Sequence, residues 1–168
     1  MDWRDAFFVQ AQSDYRVLKV LNQRRLEACH QLHYLQMTAE KLAKGFLARP
    51  GDTQPPPTVH SAFVRMLQVL KGRPDVRRRL GYARADVFTA YIDSLLPLAH
   101  KIERLAPALA GLRQPNPEYP WQSRPEAPVI APARFGFPDF MPTSVLMARL
   151  FNLLSSLLDI VTPRGLPV

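Results

Sequence analysis

Apolar positions recur at helical spacing through most of this chain, and the pattern predicts a series of amphipathic helices. Phe7, Phe8, Ala11, Tyr15, Leu18 and Leu21 share one face of a first helix over Trp3 to Asn22. Asp2 suits its N-cap, and Asp5 suits the positive first turn. A second helix over Arg24 to Leu47 carries a broad inward stripe of Leu26, Cys29, His33, Met37, Ala39, Leu42, Ala43 and Phe46. The join at Asn22-Gln23 is short, so the two helices are expected to fold back as an antiparallel hairpin.

Arg49 to Pro57 reads as a loop, because Pro and Gly stop the second helix and three consecutive prolines are unfit for a helix interior. Thr58 can cap a third helix carrying Phe63, Val64, Met66, Leu67 and Leu70, and Gly72 ends it. Pro74 sits at a first-turn position, so Asp75 to Leu80 reads as a short helix. A long helix follows over Arg84 to Leu109, with Val87, Phe88, Tyr91, Ile92, Leu95, Ala99, Ile102 and Leu105 on its apolar face. Pro97 lies inside it and is expected to kink it near Asp93 to Leu96. Gly111 to Met141 is dense in proline and lacks sustained periodicity. Its aromatics, Tyr119, Trp121, Phe135, Phe137 and Phe140, are too many for a disordered linker. It reads as an extended arm pinned across the bundle. A last helix over Ser144 to Val161 has polar Arg149, Asn152, Ser156 and Asp159 along one face and apolar residues nearly everywhere else. That excess suggests a dimer interface. The fold expected is all-α: an antiparallel bundle of four to five helices in one domain over 1–168. Its core is 1–110, its proline-rich arm 111–141 and its C-terminal helix 142–162.

Composition narrows the function classes. The chain has 168 residues, 17 Pro against 7 Gly, and a net charge of +8. Such a basic chain tends toward polyanions, though without selectivity. The single cysteine, Cys29, allows no internal disulfide. The opening MDWRDAFF lacks a long apolar run, so no secretory signal is expected, and the reducing cytoplasm is the expected compartment. Val145 to Val161 is interrupted by Arg149, Asn152, Ser155, Ser156 and Asp159, which argues against a membrane span.

The block Gln36-Met37-Thr38-Ala39-Glu40-Lys41-Leu42-Ala43-Lys44, on a long apolar helix, resembles the second helix of HEPN domains. The run PPPTVHSAFVRML resembles the family's loop, in which a His, here His60, opens the third helix. Asn116-Pro117-Glu118-Tyr119-Pro120-Trp121 and Pro132-Ala133-Arg134-Phe135 resemble a C-terminal extension of one branch. The resemblance implies a helical bundle that commonly forms a homodimer. Some members are metal-independent ribonucleases with an Arg, four to six intervening residues and a His on a late helix. Others are binding modules, often beside a small nucleotidyltransferase in toxin–antitoxin pairs. Here the late helix holds His100, but Asp93, Ser94 and Leu95 stand where the Arg would be. The resemblance therefore favours a non-catalytic interaction module for a nucleotide, RNA or partner protein. A ribonuclease is the alternative.

Several residues could carry chemistry. Arg25 and His30 have the ribonuclease spacing, and Arg24 with His30 also fits, on the second helix rather than a late one. An Arg can stabilise charge on a phosphate and a His can move a proton from a 2′-hydroxyl. On one helix the two would stand roughly 140° apart, so a surface role is the simpler reading. Lys41 and Lys44, with His60, are the ligand-binding candidates; alternatively Lys44 pairs with Glu40 on a solvated face. Arg73, Arg77, Arg78 and Arg79, beside Lys71 and Arg84, form the densest basic run and could contact nucleic-acid phosphates, or simply form a solvated turn. His30 and His33 share a helix face without a third ligand, so no metal is expected. No cofactor motif is present.

Overall fold

A computed structural model of the chain describes residues 1–52, 54, 61–106, 113–140 and 144–161. Among them the fold is an all-α helical bundle, as the apolar spacing predicts, with six α-helices and no strands. They are α1 (Trp3–Arg24), α2 (Ala28–Leu47), α3 (Ala62–Lys71), α4 (Pro74–Arg79), α5 (Ala85–Glu103) and α6 (Val145–Val161). Thr58 lies outside the described residues, and α5 ends at Glu103, short of the expected Leu109, with Arg104 to Ala106 in a turn.

Asp2 caps α1 by accepting the Asp5 N–H at 2.9 Å, and its second oxygen accepts the Gly51 N–H at 3.0 Å. These donors hold its carboxyl below the ordinary range. The same side chain thus starts one helix and fixes the loop after the next. The hairpin reversal falls later than the sequence suggests. Helix α1 continues to Arg24, and Arg25 takes the left-handed conformation at φ 52°. The Arg25 N–H reaches the Asn22 carbonyl at 3.2 Å, and the Leu26 N–H reaches Leu21 at 3.1 Å. This pair of bonds is a Schellman motif. Leu26 therefore sits in the turn, 44% exposed, and not on an inward stripe.

Helix α2 packs on α1, α3, α5 and part of the arm. Its buried residues are Cys29, Leu32, Leu35, Gln36, Thr38, Ala39, Leu42, Ala43 and Gly45. His33 and Met37 are half-buried. Helix α5 runs on through Pro97, whose ring is exposed. Helix α6 buries Met147, Leu150, Leu153, Leu154, Leu157 and Leu158 against α1, α4 and α5. Its apolar excess is largely covered within the chain, so the helix itself calls for no second copy.

Outside α-helix, the described arm forms two short 3-10 turns and one bridge between Trp121 and Ile130. Trp121, Phe135 and Phe137 pack with centroids 4.9 to 5.9 Å apart. Trp121 and Phe137 are buried. Lys101 Nζ on α5 reaches Asp139 at 2.7 Å, and His33 Nδ1 lies 3.1 Å from Glu118 Oε1. Tyr119 is the exception among the aromatics, at 59% exposed.

Helix α3 has a cap that sequence spacing conceals. Ser61 makes no capping bond. Glu103, in the last turn of α5, accepts the Val64 N–H at 2.8 Å and also draws the Phe63 N–H. These are free donors at a helix start, and a negative charge is favoured there. Burial raises the Glu103 pKa; the N–H donors and His100 oppose the rise, and Glu40 adds to it.

Two outcomes follow from this packing. A Cβ at Gly45 would lie 2.4 Å from Phe8 Cε1, so Gly45→Ala is expected to cost about 1–3 kcal/mol in urea unfolding. Glu103 contributes stability below the ordinary glutamate range that is lost as pH rises through its raised folded value. Glu103→Gln keeps an acceptor and removes that titration. The stability difference, variant minus wild type, is expected to grow as pH rises; a difference independent of pH would refute the raised value.

Candidate binding site

The sequence candidates do not converge. Arg25 and His30 lie on either side of the α1–α2 break, with Arg25 in the turn and His30 in the first turn of α2. Both are exposed, and no hydrogen bond joins them. Because Arg25 is not helical, the angular relation expected along one helix does not hold. His60 lies outside the described residues.

Lys41 and Lys44 face anions that belong to the chain. Lys41 Nζ reaches Asp14 Oδ2 of α1 at 2.6 Å, and Gln10 donates to the other Asp14 oxygen at 3.0 Å. Lys44 Nζ reaches Glu40 Oε1 at 2.6 Å, and Gln36 donates to Glu40 Oε2 at 2.7 Å. Asp14 and Gln36 are buried. The Gln36 to Lys44 block therefore forms a polar seam inside the bundle.

The basic run is largely tied down. Arg73 forks onto Asp75 with bonds of 2.9 and 2.7 Å, which hold the Asp75 carboxyl far below its ordinary range. Lys71 pairs with Asp93, and Arg84 forks onto Asp86. Arg77 donates to the Ala83 carbonyl, and Arg79 reaches the Ile160 carbonyl at 3.5 Å. Arg78 is exposed. Among the described residues no cluster of His, Cys, Asp and Glu could hold a metal ion, and no helix is long and apolar enough to cross a membrane.

A different constellation forms between α5 and α6. Helix α4 ends in a second Schellman motif: the Gly81 N–H reaches Arg78 at 3.0 Å and the Tyr82 N–H reaches Arg77 at 3.1 Å. Gly81 holds the left-handed position at φ 78°. This turn lays Tyr82 against Tyr91, with centroids 5.1 Å apart and planes 31° from parallel. The Tyr91 hydroxyl donates to the Arg149 carbonyl at 2.9 Å, joining α5 to α6. Burial pushes the Tyr91 hydroxyl up to about 12, with Tyr82 adding to the rise and Arg149 opposing it. A groove of about 490 Å³ lies over these rings. Its α6 wall presents Arg149, Asn152, Leu153 and Ser156; its other wall is Leu80, Tyr82, Val87, Ala90 and Tyr91. Arg149, Asn152 and Ser156 share one face of α6 at spacings of three and four residues. That polar face is visible in the sequence. Its pairing with Tyr82 is not, because the two segments are far apart in the chain.

The groove can bind an anion and stack a ring, since a guanidinium forks onto phosphate or carboxylate and tyrosine faces accept planar groups. Among the described residues its lining includes no histidine, cysteine or carboxylate. No protein-family model matches the chain, and neither does any curated protein or solved structure.

The seam makes its own demand. Removing one partner of a largely buried pair leaves a stranded charge. Lys41→Met alone is expected to destabilise the protein by about 3 kcal/mol. Combining it with Asp14→Leu should recover part of that loss in a double-mutant cycle of denaturation measurements. Strict additivity would mean the two residues are not coupled.

Proposed function

We propose that this protein is a non-catalytic helical interaction module whose α5–α6 groove binds a nucleotide, free or within RNA. The observation that carries the reading is the meeting of Arg149 with the Tyr82–Tyr91 pair in one groove of about 490 Å³. A nucleotide offers a phosphate for the guanidinium and a flat base for the rings. Asn152 and Ser156 add hydrogen-bonding groups along the same wall. The lining offers no acid–base pair, so the groove suits holding a ligand rather than converting it. The HEPN resemblance of the Gln36 to Lys44 block points the same way. A homodimer, a nucleotidyltransferase partner and a place in a toxin–antitoxin or defence system are proposals that rest on that resemblance; the groove requires none of them. The ribonuclease alternative has less support, because Arg25 and His30 are separated by the turn.

Titration calorimetry with AMP, GMP, CMP and UMP tests the reading. Saturable binding to one site is expected for at least one of them. Arg149→Ala should weaken it about tenfold or more, as removal of a charge-assisted hydrogen bond does. Absence of binding for all four, or unchanged affinity in the variant, would remove the groove from consideration. Incubation with labelled RNA is expected to leave the strand intact; cleavage abolished by His30→Ala would restore the ribonuclease alternative.

A further inference from the structure

Four cations without a carboxylate partner stand on the second half of α1 and in the turn that closes the α1–α2 hairpin. Arg16, Lys19, Arg24 and Arg25 are all exposed there. None of the four pairs with a carboxylate among the described residues, whereas Lys71, Arg73 and Arg84 of the denser basic run each do. Lys19 Nζ lies 5.5 Å over the Tyr15 ring, which orients the ammonium and leaves its charge unneutralised. Glu27 stands exposed in the same turn and forms no ion pair with them.

A second observation concerns Arg25 itself. Helices α1 and α4 end in the same hydrogen-bonded motif. In α4 the left-handed residue is Gly81, the residue type suited to that conformation; in α1 it is Arg25, at φ 52°. A side chain stands where glycine would be less strained, and it points into solvent with no partner that needs it.

We infer that this closed end docks a nucleic-acid strand through its phosphates. Arginine forks match phosphate oxygens, and Arg16, Lys19 and Arg24 spread over roughly 140° of the surface of the second half of α1, with Arg25 following in the turn. A protein partner fits less well, because interface anchors are chiefly aromatic and the exposed apolar residues here are Val20 and Leu26. A membrane surface also fits less well, because the apolar face of α1 is spent on the core, with Phe8, Ala11, Tyr15 and Leu18 buried. A surface of this kind holds a strand regardless of its sequence. It is separate from the α5–α6 groove and does not depend on it.

Fluorescence anisotropy with a short labelled single-stranded RNA, run across a salt series, tests the inference. Arg25→Gly is expected to raise Tm by about 2 °C while weakening binding several-fold, a combination that a purely structural role does not produce. Replacing Arg16, Lys19 and Arg24 by Ala together with Arg25→Gly should reduce the slope of log affinity against log salt by about 0.7 for each phosphate no longer neutralised. Calorimetric binding of the mononucleotides should be unchanged in the fourfold variant, none of whose residues lines the groove, so failure of the groove reading and failure of this one are distinguishable. An unchanged slope in the fourfold variant would overturn the inference. Displacement of the RNA by poly-glutamate at equal charge would overturn it too, and would assign the surface to an acidic protein.

Discussion

Helix α2 is enclosed by neighbours on most sides, and its charged side chains must be satisfied inside the bundle. That constraint organises the rest. Burying Lys41 and Lys44 without partners would be prohibitive, so α1 supplies Asp14 and α2 supplies its own Glu40 and Gln36. The seam then sets the register of α1 against α2, because sliding by one turn would separate Asp14 from Lys41. It also accounts for Gly45, since close packing of Phe8 against α2 leaves no room for a methyl group. Glu103 repeats the logic one layer away, where a buried carboxylate meets the free donors that begin α3. The bundle is thus joined by polar contacts at helix ends and seams as well as by its apolar core.

Most helices are legible in the sequence because apolar periodicity and proline or glycine punctuation agree with the packing. Gly72 ends α3, Pro74 begins α4, and the last helix falls within a residue of its expected start. The hairpin turn departs from expectation for a specific reason. Asn is a favoured left-handed residue and Arg is not, so local preference points at Asn22-Gln23 while tertiary packing places the reversal at Arg25. A single inward stripe understates α2, where Leu32, Leu35 and Thr38 are also buried because the helix has neighbours on several faces. The Glu103 cap is invisible in principle, since nothing in spacing brings the end of α5 to the start of α3.

The candidate site is less legible than the fold. Clustered charge is what stands out in the sequence, and clustered charge here pairs within itself: Arg73 with Asp75, Arg84 with Asp86, Lys44 with Glu40. A sequence shows which cations are near acids along the chain but not which acids approach in space, as Asp14 does to Lys41 and Asp93 to Lys71. The groove residues belong to separate segments, Tyr82 beside the basic run and Arg149 on the polar face of α6. Only the fold sets them side by side.

The net charge of +8 therefore conceals two populations of cations. One population is spent on the fold, holding α2 to α1 and closing the turns around α4. The other stands where no carboxylate meets it among the described residues, as on the second half of α1, at Arg65, Arg104 and Arg134, and with Arg149 at the groove. Of the first kind, Lys41 and Lys44 respond to mutation through stability, because a largely buried acid loses its partner, whereas the exposed pairs around α4 contribute little. Cations of the second kind can be removed with little effect on folding, and Arg25 even occupies a conformation that a glycine would relieve. A residue that stands against its local conformational preference, and without an internal partner, directs attention outward. The proposed ligand contacts accordingly fall on the cations left unpaired after folding, rather than on the densest basic run in the sequence.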